Sequence, residues 1–165
     1  PQLIRYYFGT VQNLLAEVVL AGQNDIEKAI AGMRHIPKPV ERLEMRIRHR
    51  TQLFLEHPKY HQLVLGLLKE TPRSAQGVEL VRILKSSLED LQEILEIGGK
   101  QGKMRDVDPA LLHLTILGAC EFVANNQDIL AILRNRKTTK SDLGSEFVEF
   151  FTDLVFRGLL TTDSD

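Results

Sequence analysis

Apolar residues recur at steps of three and four along nearly the whole chain, and prolines and glycines cut that pattern into helix-length segments. No stretch alternates β-branched with polar residues, so the expected fold class is all-α, a multi-helix domain without a sheet. Thr10 is placed to cap a helix starting at Val11, in which Leu14, Leu15, Val18, Val19, Ile26, Ala29, Ile30 and Met33 share one face and Gly22 weakens the middle. Pro37 and Pro39 end it. Pro39 suits the first turn of the next helix, which closes at His57, with Val40, Leu43, Ile47 and Phe54 inward and Arg42, Arg46 and Arg50 facing elsewhere. Pro58 opens a shorter helix that breaks at Thr71-Pro72. A long helix follows, marked by Val81, Leu84, Leu88, Leu91 and Leu95 and stopped at Gly98-Gly99. Asp108-Pro109 caps another, expected to reach about Asn125 with a further turn through Ile129 to Leu133. A basic linker from Arg134 to Lys140 precedes the last helix, from about Ser141 to Leu160.

Two of these helices carry more apolar surface than one domain can cover. In the last, the polar residues Glu146, Glu149, Asp153 and Arg157 form a single narrow stripe, and almost everything else is apolar, well beyond the ~100° that an ordinary surface helix buries. The helix from Pro109 has the same character. A symmetric four-helix interface, two helices from each of two identical subunits, solves the excess. The expected partner is therefore a second copy of the chain, through Leu111, Leu114, Gly118, Phe122, Phe147, Phe150, Phe151, Leu154 and Gly158.

The formal net charge of -1 supplies no whole-molecule field for nucleic acid or an anionic membrane, so any DNA contact must be local. A lone Cys120 and the lack of a signal-like segment fit a reducing cytoplasm, and Leu111 to Val123 falls short of the ~20 apolar residues that span a bilayer. No membrane partner is expected. His57 and His61 are four apart, but Pro58 puts a helix boundary between them and no ligand of matching spacing completes a metal site. Ser86-Ser87 and Cys120 have no visible activating base. No catalytic residue, metal or cofactor is expected, and the chain does not read as an enzyme.

The segment Leu3-Ile4-Arg5-Tyr6-Tyr7-Phe8-Gly9-Thr10-Val11-Gln12-Asn13-Leu14-Leu15 resembles the junction of tetracycline-repressor-like (TetR family) regulators, where the recognition helix of a helix-turn-helix meets a connecting helix. Val11 stands where the family usually has a phosphate-contacting Lys, and Gln12 where it has Glu. His57-Pro58, the turn before Val107-Asp108-Pro109 and the closing Arg157-Gly158-Leu159 are similar in order and spacing. The resemblance implies that residues 1–10 are the end of the recognition helix and its turn, with two more helices expected before Pro1, and that residues 11–165 form an effector-binding and dimerisation domain. It puts Pro1 and Gln2 at base edges of operator DNA, and Arg5, Tyr7 and Thr10 at the DNA-facing junction. It also implies a cavity among Met45, His49, Phe54, Leu84, Ser87, Leu88, Leu91, His113, Leu117 and Cys120 for a small apolar or aromatic effector, with His49 and His113 as polar handles. The function it implies is a ligand-responsive DNA-binding transcriptional regulator. A helical dimerisation or protein-docking module without an effector, and an enzyme with a dispersed site, are the other classes left open by the residues alone.

Overall fold

The computed structural model of the protein describes residues 6–71 and 73–161. Pro1, Gln2 and Arg5, expected at DNA, lie outside the described residues. After a helical turn at residues 6–8 come seven α-helices among the described residues: α1 Val11–Gly32, α2 Pro39–Glu56, α3 Tyr60–Glu70, α4 Ala75–Lys100, α5 Pro109–Asn125, α6 Gln127–Arg134 and α7 Lys140–Leu159. A 3-10 turn, Met33–His35, joins α1 to α2. The all-α expectation holds, and the nearest thing to a strand among these residues is an isolated bridge between Met104 and Leu160.

Local chemistry sets most helix starts. The hydroxyl of Thr10 accepts from the Asn13 amide at 3.1 Å, that of Ser74 from Gly77 at 3.0 Å and that of Thr139 from Asp142 at 3.2 Å. Asp108 accepts from both Ala110 and Leu111, at 2.8 and 3.1 Å. Each cap satisfies an amide that the first helical turn leaves without a partner. Pro39 and Pro109 occupy first turns, where their missing N–H is not needed.

Two glycines take packing roles that the sequence pattern does not show. Gly22 does not break α1; it makes room for Tyr60 of α3, whose hydroxyl donates to the Val19 carbonyl at 2.6 Å. Gly98-Gly99 does not stop α4, which runs on to Lys100. The chain reverses at Gly102, whose φ of +68° is left-handed, while the Lys103 amide donates to the Gly98 carbonyl at 2.9 Å. Gly98 is a packing residue, because the buried Met104 folds directly over it. From there the Arg105 amide donates to the Leu159 carbonyl at 2.8 Å, fastening the end of α7 to the turn after α4. The further turn expected after Asn125 is the separate helix α6, bent by 74° from α5.

The main core is built around α2, whose Leu43, Ile47 and Phe54 are fully enclosed by residues of α4, α5 and α7. None of the residues of α1 belongs to it. Instead α1 joins α3 and α4 in a satellite cluster of Ala16, Val19, Val64, Leu67 and Leu80. Among the described residues no single helix is long and apolar enough to cross a membrane.

Replacing Gly98 with Val should force Met104 out of place and cost about 1–3 kcal/mol, as overpacking of a close contact does. Urea unfolding should show a lower midpoint with an unchanged slope. An unchanged midpoint would show that Met104 can yield without cost.

Candidate ligand-binding site

Arg42, Arg46 and Arg50 follow one another at four-residue steps and so lie along one face of α2. Sequence patterning turns that face away from the core, yet none of the three is more than 6% exposed. The reason is Asp90 of α4, itself buried, which accepts from Arg46 Nη1 at 2.9 Å, from Arg34 Nε at 3.3 Å and from Arg42 Nη2. Arg42 Nη2 also donates to Glu93 at 2.8 Å. Arg46 Nη2 donates to the Ser87 carbonyl at 2.6 Å and to the Ser87 hydroxyl at 2.9 Å. A buried cation needs both charge compensation and hydrogen bonds, and Arg46 has both.

Arg50 has neither in full. Its Nη2 donates to the Ser87 hydroxyl at 3.0 Å, its Nε is buried without an acceptor, and among the described residues no carboxylate lies within salt-bridge distance of it. Burial, with the neighbouring Arg46 charge second, pulls Arg50 down to about 9, and burial pulls Arg46 down to about 10. Both remain cations at neutral pH.

Arg50 also faces open space. A cleft of about 320 Å³ lies between α1, α2 and α4, within the range of small-molecule sites. Its walls include Gln23, Ile26 and Ile30 of α1, Arg50 of α2, and Ile83 and Ser87 of α4. Behind it, sharing Gln23, Ile26 and Arg50, is a void of about 10 Å³ that reaches Phe54, Leu84, His113 and Leu117 and has room for at most one water.

A sequence profile described as "Tetracyclin repressor-like, C-terminal domain" matches residues 39–155. The chain belongs to the tetracycline-repressor-like family. Three solved structures share its fold. The ketosteroid transcriptional regulator KstR2 of Mycobacterium tuberculosis is 13% identical, with a TM-score of 0.73 over 98% of this chain and 79% of that one. A TetR-family regulatory protein from Rhodococcus RHA1 is 15% identical, with a TM-score of 0.73 over 94% and 79%. AibR, solved in complex with isovaleryl coenzyme A and operator DNA, is 19% identical, with a TM-score of 0.67 over 89% and 77%. No curated protein matches the sequence.

The cavity anticipated from the family resemblance is only partly where it was expected. Ser87 lines the cleft, and Phe54, Leu84, His113 and Leu117 line the inner void. Met45, His49, Leu88, Leu91 and Cys120 line neither. Met45 is exposed on α2, because five residues of helix turn it roughly 140° from Arg50. Leu91 and Cys120 are packed in the main core, and His49 is half-buried with its Nδ1 unpartnered. Sequence patterning missed Arg50, Gln23, Ile26, Ile30 and Ile83. The signal was present in the arginine ladder, since three guanidiniums on one helical face ask for a carboxylate on a facing helix.

His113 is buried, with its Nδ1 3.4 Å from Arg46 Nη2. Burial, then the Arg46 and Arg50 charges, pushes it down to about 4, so it is neutral in the fold. His61 sits 2.6 Å from Glu121. At the junction Tyr7 is exposed, and the Thr10 hydroxyl is occupied by the α1 cap.

Of the family-type interface residues, Leu111, Leu114 and Phe122 on α5 and Phe150 and Leu154 on α7 are between 55% and 66% exposed, and Gly118 and Gly158 are exposed with them. They form one apolar stripe on each helix. Phe147 and Phe151 depart from that expectation: they stack on each other, centroids 5.3 Å apart, inside the core of their own protomer. Their side of α7 packs on α2, and the exposed Phe150 and Leu154 lie beside them on the helix circumference.

Removing Asp90 leaves a cluster of buried guanidiniums without their shared anion, so Asp90→Ala should destabilise by about 3–5 kcal/mol in urea unfolding. A loss under 1 kcal/mol would contradict this. His113 gives a pH signature. It titrates near 6.5 when unfolded and at about 4 when folded, so between those values the unfolded chain binds more protons. Stability due to this group is complete above pH 6.5 and is lost as pH falls toward 4. His113→Phe should therefore reduce the stability lost between pH 7 and 4.5 by roughly 2–3 kcal/mol. Parallel pH profiles for the two proteins would refute the assignment.

Proposed function

We propose that the protein is the sensing and dimer-forming part of a ligand-responsive transcriptional regulator, in which a small molecule in the cleft between α1, α2 and α4 sets the DNA affinity of a homodimer. The observation that carries this is the cleft's position under α1. That helix continues directly from the junction at residues 6–10 and lies outside the main core. A ligand touching Gln23, Ile26 and Ile30 on one side and Arg50, Ile83 and Ser87 on the other contacts α1 and the core differently in each position of α1. Differential contact of this kind shifts a population, and coupling of about 1–3 kcal/mol is typical of such regulators. The complex of AibR with isovaleryl coenzyme A and operator DNA supports the reading by analogy of fold. DNA contact is assigned to Pro1, Gln2, Arg5, Tyr7 and Thr10, in the cytoplasm.

The exposed stripes of α5 and α7 support self-association, because large exposed apolar surface on a folded domain marks an interface. A self-complementary pairing of both stripes gives the commonest oligomer, a two-fold dimer. The lone thiol is a poor nucleophile for an enzymatic reading. Burial raises the Cys120 thiol to about 11, and its hydrogen bond with Thr51 offsets this only in part.

Two substitutions on α5 and α7 test the dimer. Leu114→Glu places a charge on the exposed stripe and should give a folded monomer by light scattering. Phe151→Glu places one in the core and should abolish cooperative unfolding instead. A wild-type monomer at high concentration would overturn the dimer, and a stable dimer whose melting responds to no small molecule would favour the docking-module reading.

A further inference from the structure

Three guanidiniums, those of Arg34, Arg42 and Arg46, gather around Asp90, with Glu93 beside Arg42, and Arg50 stands one turn further along α2 without a carboxylate among the described residues. Arg34 is half-exposed and solvated, and Arg42 and Arg46 are paired directly. The surplus buried positive charge therefore falls on Arg50, at the wall shared by the cleft and the inner void. An uncompensated charge in such a place is costly, and it persists where a counter-charge arrives from elsewhere.

We propose that the cleft binds an organic acid, an apolar body carrying one carboxylate that pairs with Arg50; this rests on reading the cleft as the effector site. The planar fork of a guanidinium matches a carboxylate in two parallel hydrogen bonds, and Arg50 has N–H groups to offer. Ser87 completes the head-group site. Its hydroxyl accepts from both Arg46 and Arg50, which uses both lone pairs and leaves its own proton for an incoming oxygen. The Gln23 side chain stands on the same wall. Glu27, the acid of the cleft lining, is held by Arg82 at 3.0 and 3.2 Å, so it is already engaged by a cation. Ile26, Ile30, Ala31 and Ile83 supply apolar wall for the body of the ligand.

The charge count selects a carboxylate over related groups. A neutral alcohol or thioester leaves Arg50 unpaired, and a phosphate dianion brings two charges to a lining in which Arg50 alone lacks a carboxylate, since Lys28 and Arg34 already pair with Asp25 and Asp90. The cleft volume, near the lower end for small-molecule sites, favours a medium-length body over a long one.

Calorimetry and thermal melting of the 165-residue protein with decanoate, decanol, decyl phosphate and decanoyl coenzyme A test this. Decanoate should bind about tenfold to a hundredfold more tightly than decanol, the worth of a charge-assisted hydrogen bond. Arg50→Met, which keeps the length and removes the charge, should abolish that preference and leave decanol binding intact. Ala31→Trp, on an exposed position of the cleft lining, should block both ligands. Equal affinity for acid and alcohol in the wild type overturns the head-group proposal and leaves the cleft reading standing. Tighter binding of the phosphate or the coenzyme A ester also overturns it. Binding of none of the four overturns the proposal and the cleft reading together, as does decanoate binding that survives Ala31→Trp. Should Arg50→Met fail to fold, the wild-type comparison of acid with alcohol decides alone.

Discussion

The buried carboxylate of Asp90 is the interaction on which the arrangement of α2 and α4 depends. It lets a helix face bearing three arginines turn inward, and so brings the α2 and α4 backbones together where patterning alone would leave that face in solvent. Every other feature of the candidate site follows from this geometry. Ser87, one turn before Asp90, receives the remaining donors of Arg46, and Arg50, one turn beyond Arg46, extends past the reach of the carboxylate into the cleft. Replacing such a cluster with hydrophobic residues is often neutral for stability, so what the arginines add here is charge rather than packing.

The molecule is mechanically uneven. The helices α2, α4, α5 and α7 share one continuous core, whereas α1 is attached through a satellite cluster, the Tyr60 hydrogen bond and the exposed Arg82–Glu27 pair. Exposed ion pairs contribute little, and a small cluster opens more readily than the global fold. The cleft sits on the seam between these two parts. The walls of that cleft therefore come from α1 on one side and from helices of the main core on the other. The apolar stripes of α5 and α7 lie on helices of the main core, away from that seam.

Helix boundaries were largely legible in the chain because their causes are local. Thr10, Asp108, Pro39 and Pro109 act within four residues of themselves, and the structure finds each in its expected role. The glycines were misread for the opposite reason. Gly22 and Gly98 exist to admit Tyr60 and Met104, neighbours that only the folded chain brings near, and the reversal after α4 falls to Gly102 instead. Of the expected α4 stripe, Leu91 and Leu95 are buried, whereas nearer the start of the helix the inward face shifts to Leu80, Ile83, Ser87 and Asp90, leaving Val81 exposed and Leu84 and Leu88 half-buried.

The same division runs through the candidate site. The amount of apolar surface on α5 and α7 is a property of composition and spacing, and it pointed to a second subunit before any packing was known. Which phenylalanines serve that surface and which serve the core depends on where α2 lies; Phe151 and Phe150 are neighbours in the chain with opposite environments. By itself the sequence determined that the chain is a set of capped helices of a recognisable family, since hydrogen bonds at helix ends and the 3.6-residue period are short-range. Only the tertiary structure decided that Arg50 lines the cleft, because its place there depends on Ser87 of α4, far along the chain, and on the packing of α1 against α4 over it.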